Sequence, residues 1–290
     1  MAYFPPQFQI VSDLHLETPL LRPSYSKYTQ EIEARHLCLL GDIGLVKDDG
    51  LFHFLETLLK KTPNLIILYV LGNHESYQMT LAAGKQKLRD FEEKITKEYP
   101  GSPRFVFLDR KRCDINNRVS VLGCTLWSRI LPEQMQRVST ALTDFNERNG
   151  IREWTPSDHL EEHRKDLAWL NDQVQRIEKE EPERQIVIFT HHSPTVDSRA
   201  NNPRHVGSPF SSGFVKLWAV GHTHFSCDYR EEGSGKLVVA NQKGYSRIGD
   251  VGREEGQRSE AASGRGSSLD KRSQVTQRKG HKRILGWLRR

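Results

Sequence analysis

The sequence predicts an α/β fold, and a strand–helix–strand unit near its start is the clearest sign of it. His36–Leu40 and residues 65–71 are short, continuous apolar runs, as expected for strands buried on both faces of a sheet. Between them, apolar residues recur at helical spacing over residues 48–62, and Pro63 closes the segment. Such a unit forms a right-handed crossover, so the two strands should be parallel and should end at the same edge of the sheet.

The rest of the chain continues this alternation of strands and helices. A helix is predicted at Pro156–Glu180, where Thr155 can cap the first turn and proline suits the first helical position. Residues 119–126 are predicted to begin a second sheet. Three histidines on helical segments are predicted to be ordinary surface residues: His53, His159 and His163. Further strands are predicted at residues 8–11, 105–108, 186–189, 217–220, 228–229 and 237–240, and further helices at residues 79–99 and 134–145.

Composition limits the class of protein. Aliphatic, aromatic and cysteine residues make up 36% of the 290 residues, enough for a sizeable core. No apolar run approaches the roughly 20 residues that span a bilayer, and the first ten residues lack the pattern of a signal peptide. The four cysteines have no CxxC spacing, and Cys38 and Cys124 lie in apolar runs, as buried reduced thiols would. We therefore expect a soluble, cytoplasmic protein.

Positive charge is concentrated at the end of the chain. The net charge is +6, yet residues 251–290 hold eleven Lys or Arg against four Asp or Glu, while residues 1–250 hold 32 against 33. The nearly neutral body argues against a nucleic-acid partner, because affinity for phosphate backbones depends on basic contacts. We expect a folded domain over residues 1–250 and a disordered basic tail over residues 251–290, which has too few apolar residues to offset its ordering entropy. Contact of the tail with an acidic partner or a membrane surface is the less favoured alternative.

Polar side chains follow five of the predicted strands. Because parallel strands bind ligands beyond their carboxyl ends, these side chains are candidates for one site. Oxygen and imidazole donors without a thiolate favour Mn, Fe or Zn over Ca or Mg, and they argue against a structural zinc site. Seven donors are too many for one ion, whereas two ions that share one carboxylate would use them all. The seven candidate ligands are Asp13, His15, Asp42, Asn73, His191, His222 and His224.

These residues occur in five short blocks with a fixed order along the chain. The blocks are Ser12-Asp13-Leu14-His15, Gly41-Asp42, Gly72-Asn73-His74-Glu75, Thr190-His191 and Gly221-His222-Thr223-His224. Their order and spacing resemble the calcineurin-like metallophosphoesterase superfamily. Any single block is a weak signal, but five in register, each at the end of a predicted strand, form a specific one. The resemblance extends from residue 10 to about residue 245, nearly all of the predicted folded domain.

The resemblance implies a four-layer αββα sandwich, in which two mixed β-sheets are flanked by helices. It also implies two metal ions bridged by Asp42, with His74 facing the substrate phosphate rather than a metal. His192 follows a predicted ligand and could either contact the substrate or cap its loop. The ligands implied for one ion are Asp13, His15, Asp42 and His224, and those for the other are Asp42, Asn73, His191 and His222.

The chemistry expected of such a centre is hydrolysis of a phosphate ester. Two metal ions about 3.5 to 4 Å apart offset the repulsion between an anionic ester and an attacking anion, and they lower the pKa of a bridging water. The resulting hydroxide would attack phosphorus in line while His74 assists the leaving oxygen. The substrate would be a phosphomonoester, phosphodiester or pyrophosphate group on a small molecule, nucleotide or protein. The alternative is a non-catalytic metal-binding scaffold with the same fold, which would be expected to have lost ligands, and none is missing.

Two departures from the family pattern have consequences. Many members carry an aspartate three residues after the second-block aspartate, where this chain has Leu45. That aspartate more often supports a ligand than binds metal, so its absence should lower metal affinity only slightly. The segment from residue 212 to residue 217 is also shorter than the matching segment of relatives, which predicts a reduced lid over the substrate pocket.

Overall fold

Two β-sheets lie face to face, and helices cover the outer face of each. A computed structural model describes residues 6–194, 215–245 and 284–286. The predicted four-layer αββα arrangement is confirmed, because three separate apolar cores occupy the three spaces between the layers. Among these residues, no helix is long and apolar enough to cross a membrane.

The first sheet is built from parallel strands in chain order. Its central strands alternate side chains between two cores, so Leu37 and Leu39 face the helices while Cys38 and Leu40 face the second sheet. A short antiparallel strand from the C-terminal region pairs with the outer edge of β1. The strands are β1 (Gln7–Val11), β2 (His36–Leu40), β3 (Ile66–Val70), β4 (Phe105–Phe107) and β11 (Ile284–Gly286), in the order β11-β1-β2-β3-β4.

The second sheet has a parallel centre and antiparallel edges. Its four central strands are parallel, and an antiparallel strand closes each side. The strands are β5 (Lys111–Asp114), β6 (Val119–Cys124), β7 (Gln185–Thr190), β8 (Val215–Val220), β9 (Cys227–Arg230) and β10 (Leu237–Ala240), in the order β5-β6-β7-β8-β10-β9.

Helices form the outer layers. The first two, α1 and α2, cover the first sheet, and α4 covers the second sheet through Leu170, Val174 and Ile177. The capping predicted for α4 is present, since the Thr155 hydroxyl accepts from the Asp158 amide and the Asp158 carboxylate accepts in return. The helices are α1 (Asp49–Lys61), α2 (Leu81–Glu98), α3 (Met135–Ala141) and α4 (Pro156–Glu180).

Two predicted elements differ from the structure. The second sheet begins at β5, not at residues 119–126, because the polar edge strand Lys111–Asp114 has no apolar run to reveal it. The helix predicted at residues 134–145 is divided into a 3-10 turn, the short helix α3 and a second 3-10 turn. The buried Asp144 lies in that second turn, where its side chain contacts the candidate site.

The C-terminal region differs from prediction at one place. Ile284–Gly286 forms a strand on the edge of β1, within the tail that the sequence predicts to be disordered. The edge of β1 offers unpaired backbone groups, which a short segment can satisfy without a core of its own. The rest of residues 251–290 and the shortened segment at 212–214 lie outside the described residues, so the domain boundary at residue 250 stays a prediction.

The aromatic pair between the sheets provides a test of the fold. Phe8 of β1 is fully buried and contacts Phe189 of β7 edge to face, with ring centroids 5.5 Å apart. We expect Phe8→Ala to lower the free energy of unfolding in urea by about 3–5 kcal/mol, the usual loss for a buried phenylalanine. The control Leu21→Ala, at a side chain 96% exposed, should change it by less than about 0.5 kcal/mol. Equal effects of the two substitutions would contradict this packing of the sheets.

Candidate metal centre

Five loops that follow parallel strands meet at one edge of the two sheets. They follow β1, β2, β3, β7 and β8, and each delivers polar side chains directly after its strand ends. Several of these side chains depend on sharp turns, since their residues adopt left-handed backbone angles that cost energy outside glycine. The residues in this conformation are Asp13 (φ 53°), His15 (47°), Asp42 (55°), His222 (67°) and His224 (50°).

The first group of donors is Asp13, His15 and His224. One donor atom from each lies within 4.8 Å of the others. The Nε2 atoms of His15 and His224 are 3.1 Å apart, and Nε2 of His224 is 3.4 Å from Oδ1 of Asp13. Asp13 and His15 belong to the first block and His224 to the last, and the structure brings all three together.

The second group is Asp42, His191 and His222, again with donor atoms within 4.8 Å of one another. Asn73 completes it, because its Oδ1 lies 3.2 Å from Nε2 of His191 and 3.2 Å from Nδ1 of His222. All four of these residues were predicted as ligands from the sequence.

Asp42, a member of the second group, also faces the first group. Its Oδ2 is 3.4 Å from Nε2 of His191 and 4.0 Å from Nε2 of His15. Its other oxygen, Oδ1, accepts from the backbone amide of His74 at 2.9 Å. One carboxylate oxygen therefore faces both groups while the second holds the neighbouring loop.

Hydrogen bonds behind the second group fix the direction of its lone pairs. Nδ1 of His191 contacts the Leu40 carbonyl at 2.8 Å, and a carbonyl only accepts, so the remaining lone pair of the ring is on Nε2. The amide nitrogen of Asn73 donates to Tyr77 and Asp144, which leaves Oδ1 facing His191. Nε2 of His191 and Oδ1 of Asn73 are then two acceptors 3.2 Å apart, which repel each other unless a cation lies between or beside them.

A proton on His191 can supply this positive charge. Burial lowers the pKa of His191, but Asp42, Asp13 and the Leu40 carbonyl together outweigh burial and raise that pKa to about 10. Burial likewise raises the pKa of Asp42, but His191, His74 and His15 together outweigh burial and hold that pKa well below its usual value. The donor set, mostly imidazole nitrogen with carboxylate and amide oxygen, fits a divalent transition metal in place of that proton.

The sequence of the chain matches the profile described as calcineurin-like phosphoesterase over residues 7–226. The chain belongs to the calcineurin-like phosphoesterase family. The resemblance inferred from the five blocks is therefore confirmed, and these residues include every donor of the two groups.

Two known proteins are similar to this family member along most of its length. The uncharacterized protein L509 of Acanthamoeba polyphaga mimivirus is 23% identical over 264 residues, which cover 81% of this chain and 90% of that protein. The solved structure of phosphopantetheinyl hydrolase (PptH) from Mycobacterium tuberculosis superposes with a TM-score of 0.55 at 14% identity, covering 84% of this chain and 91% of that one. At this identity the likeness supports the fold alone.

A buried glutamate of the third block, Glu75, holds two loops of this family member together. Glu75 is fully buried and accepts from the backbone amides of Asp42, Ile43 and Gly72 at 2.8–2.9 Å. Burial, followed by the charge of Asp42, raises the pKa of Glu75 to about 7. The loops after β2 and β3 therefore hold one position relative to each other. The sequence showed Glu75 as part of a block but assigned it no role.

His74 lies beside the two groups with its side chain partly exposed, and one of its ring nitrogens is within 4.8 Å of donor atoms of His15 and Asp42. Its Nδ1 is 3.1 Å from a carboxylate oxygen of Glu17, and its Nε2 is 3.0 Å from the hydroxyl of Tyr245. Burial lowers the pKa of His74, whereas Asp42 and Glu17 raise it, and the net result is about 9. Glu17 and Tyr245 belong to none of the blocks, so the sequence did not reveal them.

A second layer of histidines lies behind the second group. His192 is 2% exposed, and its ring centroid is 4.1 Å from that of His222. It therefore packs against a donor in the interior, and its role in substrate binding stays a prediction. The prediction that His159 and His163 are surface residues is wrong, because both lie on the buried face of α4, where they contact the carbonyls of Ser128 and Trp127. His53 is exposed as predicted.

Leu45, at the position where many family members carry a second aspartate, is part of the hydrophobic core. Leu45 is buried among apolar residues of the first outer core. The backbone amide of Leu45 donates to the hydroxyl of Tyr25, which in turn donates to Asp48. Leu45 and Tyr25 therefore hold the loop before α1 in place.

Gly72 leaves room for the carboxylate of Asp42. A Cβ atom at this position would lie 2.3 Å from Oδ1 and 2.6 Å from the backbone nitrogen of Asp42. We expect Gly72→Ala to displace Asp42 and to lower metal affinity by about 10- to 100-fold, the range seen when groups that orient ligands are changed. Calorimetric titration of metal-free protein with Mn²⁺ measures the effect.

The matched control for Gly72→Ala is Gly101→Ala. A Cβ at Gly101 meets no atom within 4 Å, although the left-handed backbone there makes the substitution mildly strained. Metal affinity of this control should equal that of the unaltered protein. An unchanged affinity in Gly72→Ala would show that Asp42 is not held against this glycine.

Proposed function

We propose that this chain is a dinuclear metal-dependent phosphoesterase. The observation that carries the proposal is the position of Asp42, whose single oxygen Oδ2 faces a donor group on each side. Membership in a phosphoesterase family supports the reaction class. Two separate groups of donors joined by one carboxylate support two ions better than one, since one ion binds four to six ligands.

Each ion would be held by residues that the structure brings together. Asp13, His15 and His224, with Asp42, would hold one ion. Asn73, His191 and His222, with Asp42, would hold the other. When bound, such ions supply Lewis-acid polarisation of a phosphoryl oxygen and lower the pKa of water. The donor chemistry favours Mn, Fe or Zn.

The residues around these donors would orient and neutralise the substrate. His74 is partly exposed, and its Nε2 already contacts a hydroxyl oxygen, that of Tyr245, at 3.0 Å. An oxygen of a substrate can take the same position, where the ring would donate a proton to the departing alkoxide. The left-handed turns at Asp13, Asp42 and His222 hold the surrounding donors in place before substrate arrives.

This chemistry defines the substrate by its phosphate group. A phosphomonoester, phosphodiester or pyrophosphate on a small molecule, nucleotide or protein meets the same donors. The test is hydrolysis by purified protein of p-nitrophenyl phosphate, bis-p-nitrophenyl phosphate and a nucleoside diphosphate with Mn²⁺, Zn²⁺ or Fe²⁺. Turnover of at least one substrate, abolished by chelator and restored by metal, supports the proposal. Two bound ions without turnover of any of them would favour a non-catalytic scaffold instead.

Asp42 should be indispensable for hydrolysis. Asp42→Asn keeps the shape of the side chain but removes the charge that both donor groups share. We expect turnover of the aryl phosphate in Mn²⁺ to fall to the background rate while circular dichroism shows a folded protein. The control Asp49→Asn, at an exposed residue of α1, should retain full activity. Near-normal turnover by Asp42→Asn would be incompatible with a bridging role.

His74 should affect turnover without affecting metal content. In His74→Ala, we expect kcat to fall by about 10²- to 10⁴-fold, the usual loss for an acid–base group. Among the described residues, no other imidazole hydrogen-bonds the Tyr245 hydroxyl, so no other ring can replace His74 at this position. Elemental analysis should find the same metal content as in the unaltered protein. His53→Ala, at an exposed histidine of α1, is the control. A parallel loss of metal and turnover would instead identify His74 as a ligand.

A further inference from the structure

Glu17 contacts two imidazoles with one oxygen. Its side chain is only 3% exposed, and Oε1 lies 3.2 Å from Nδ1 of His15 and 3.1 Å from Nδ1 of His74. The two rings meet edge to face with centroids 4.5 Å apart. One carboxylate therefore connects a residue of the first donor group with the histidine proposed to face the phosphate.

The direction of these hydrogen bonds fixes both rings. An ionised carboxylate only accepts, so Nδ1 of His15 and Nδ1 of His74 both carry hydrogen. Nε2 of each ring is then the atom directed away from Glu17.

The opposite side of each ring is where the proposed chemistry takes place. Nε2 of His15 lies 3.1 Å from Nε2 of His224 and 4.0 Å from Oδ2 of Asp42. Nε2 of His74 lies 3.0 Å from the hydroxyl of Tyr245. A rotation of either ring would replace the donor atom with a carbon atom.

The backbone around Glu17 is held firmly. The amide of Leu16 donates to the Ile43 carbonyl at 3.0 Å, and Thr18 donates to the His15 carbonyl through its amide and its hydroxyl at 2.9 and 2.7 Å. The second oxygen of Glu17, Oε2, is buried and has no hydrogen-bond partner among the residues that the structure describes. The only described groups that hydrogen-bond the carboxylate are therefore the two imidazoles.

We propose that Glu17 is a positioning residue shared by His15 and His74, which presents Nε2 of His15 to a metal ion and Nε2 of His74 to the substrate. The proposal rests on the proposed function for the second of these roles. A purely structural glutamate would stabilise the fold and alter neither role selectively. A shared positioning residue links the two roles, because a change at one oxygen disturbs both rings.

Glu17→Gln separates these possibilities, since it keeps the shape but removes the charge that strengthens both hydrogen bonds. Calorimetric titration of the metal-free variant with Mn²⁺ should show affinity lower by about 10- to 100-fold, as for other groups that orient metal-binding histidines. The control Glu147→Gln, at an exposed glutamate, should bind Mn²⁺ as the unaltered protein does. Affinity within twofold of normal in Glu17→Gln would overturn the role at His15.

The role at His74 is tested by combining two substitutions. At saturating Mn²⁺, Glu17→Gln should lower kcat by about tenfold or more in the presence of His74, with little change in KM. In a His74→Ala background the same substitution should leave kcat unchanged, because Glu17 would act on turnover through that ring. An equal loss of kcat in both backgrounds would overturn the role at His74. Metal affinity should still fall in the double variant, since that effect passes through His15.

A spectroscopic readout separates failure of this proposal from failure of the proposed function. In metal-free protein labelled with ¹⁵N-histidine, Nδ1–H signals of His15 and His74 should be protected from exchange and should be lost or shifted in Glu17→Gln. This result needs no catalytic activity, so it stands if no phosphoester is turned over. Should Glu17→Gln not fold, Glu17→Asp keeps the charge but shortens its reach, and it should change the same signals. Unchanged signals in the folded variants would overturn the proposal.

Discussion

A buried carboxylate organises the edge of the molecule where the loops meet. Asp42 is 2% exposed, and an isolated charge in such a place costs several kcal/mol. The backbone amide of His74 and the ring of His191 offset part of that cost from one side, and the donors around His15 face it from the other. The lone pairs of several acceptor atoms still converge on one oxygen of Asp42, and this arrangement favours binding of cations.

The two sheets make this arrangement possible. Parallel strands of both sheets end at the same edge, so five loops that are distant in sequence meet without long connections. The supporting residues come from further along the chain: Glu75 clamps the loops after β2 and β3, and Asp144 orients the amide of Asn73 from a 3-10 turn. Rigid placement of donors on strand ends is what a preorganised hydrolytic centre requires.

Local patterns in the sequence were sufficient for most of the strands and for placing the candidate donors at the strand ends. The apolar run His36–Leu40 gives a buried parallel strand, and the polar residue directly after it, Asp42, is thereby placed at the sheet edge. The polar edge strand Lys111–Asp114 lacked such a pattern and was missed. Glu17 and Tyr245 were missed for a different reason, since their contacts with His74 span 57 and 171 residues and depend on loop conformation alone. His159 was misassigned because a polar residue on a helix predicts exposure unless a buried partner such as Ser128 is known.

The most direct test of this account is the position of bound metal. Crystals grown with Mn²⁺ and measured near the manganese absorption edge should show two anomalous peaks about 3.5–4 Å apart, the spacing of two-metal hydrolases. Asp42 should contact both peaks, with His15 and His224 on one side and His191 and His222 on the other. A single peak, or two peaks that do not share Asp42, would contradict the central claim.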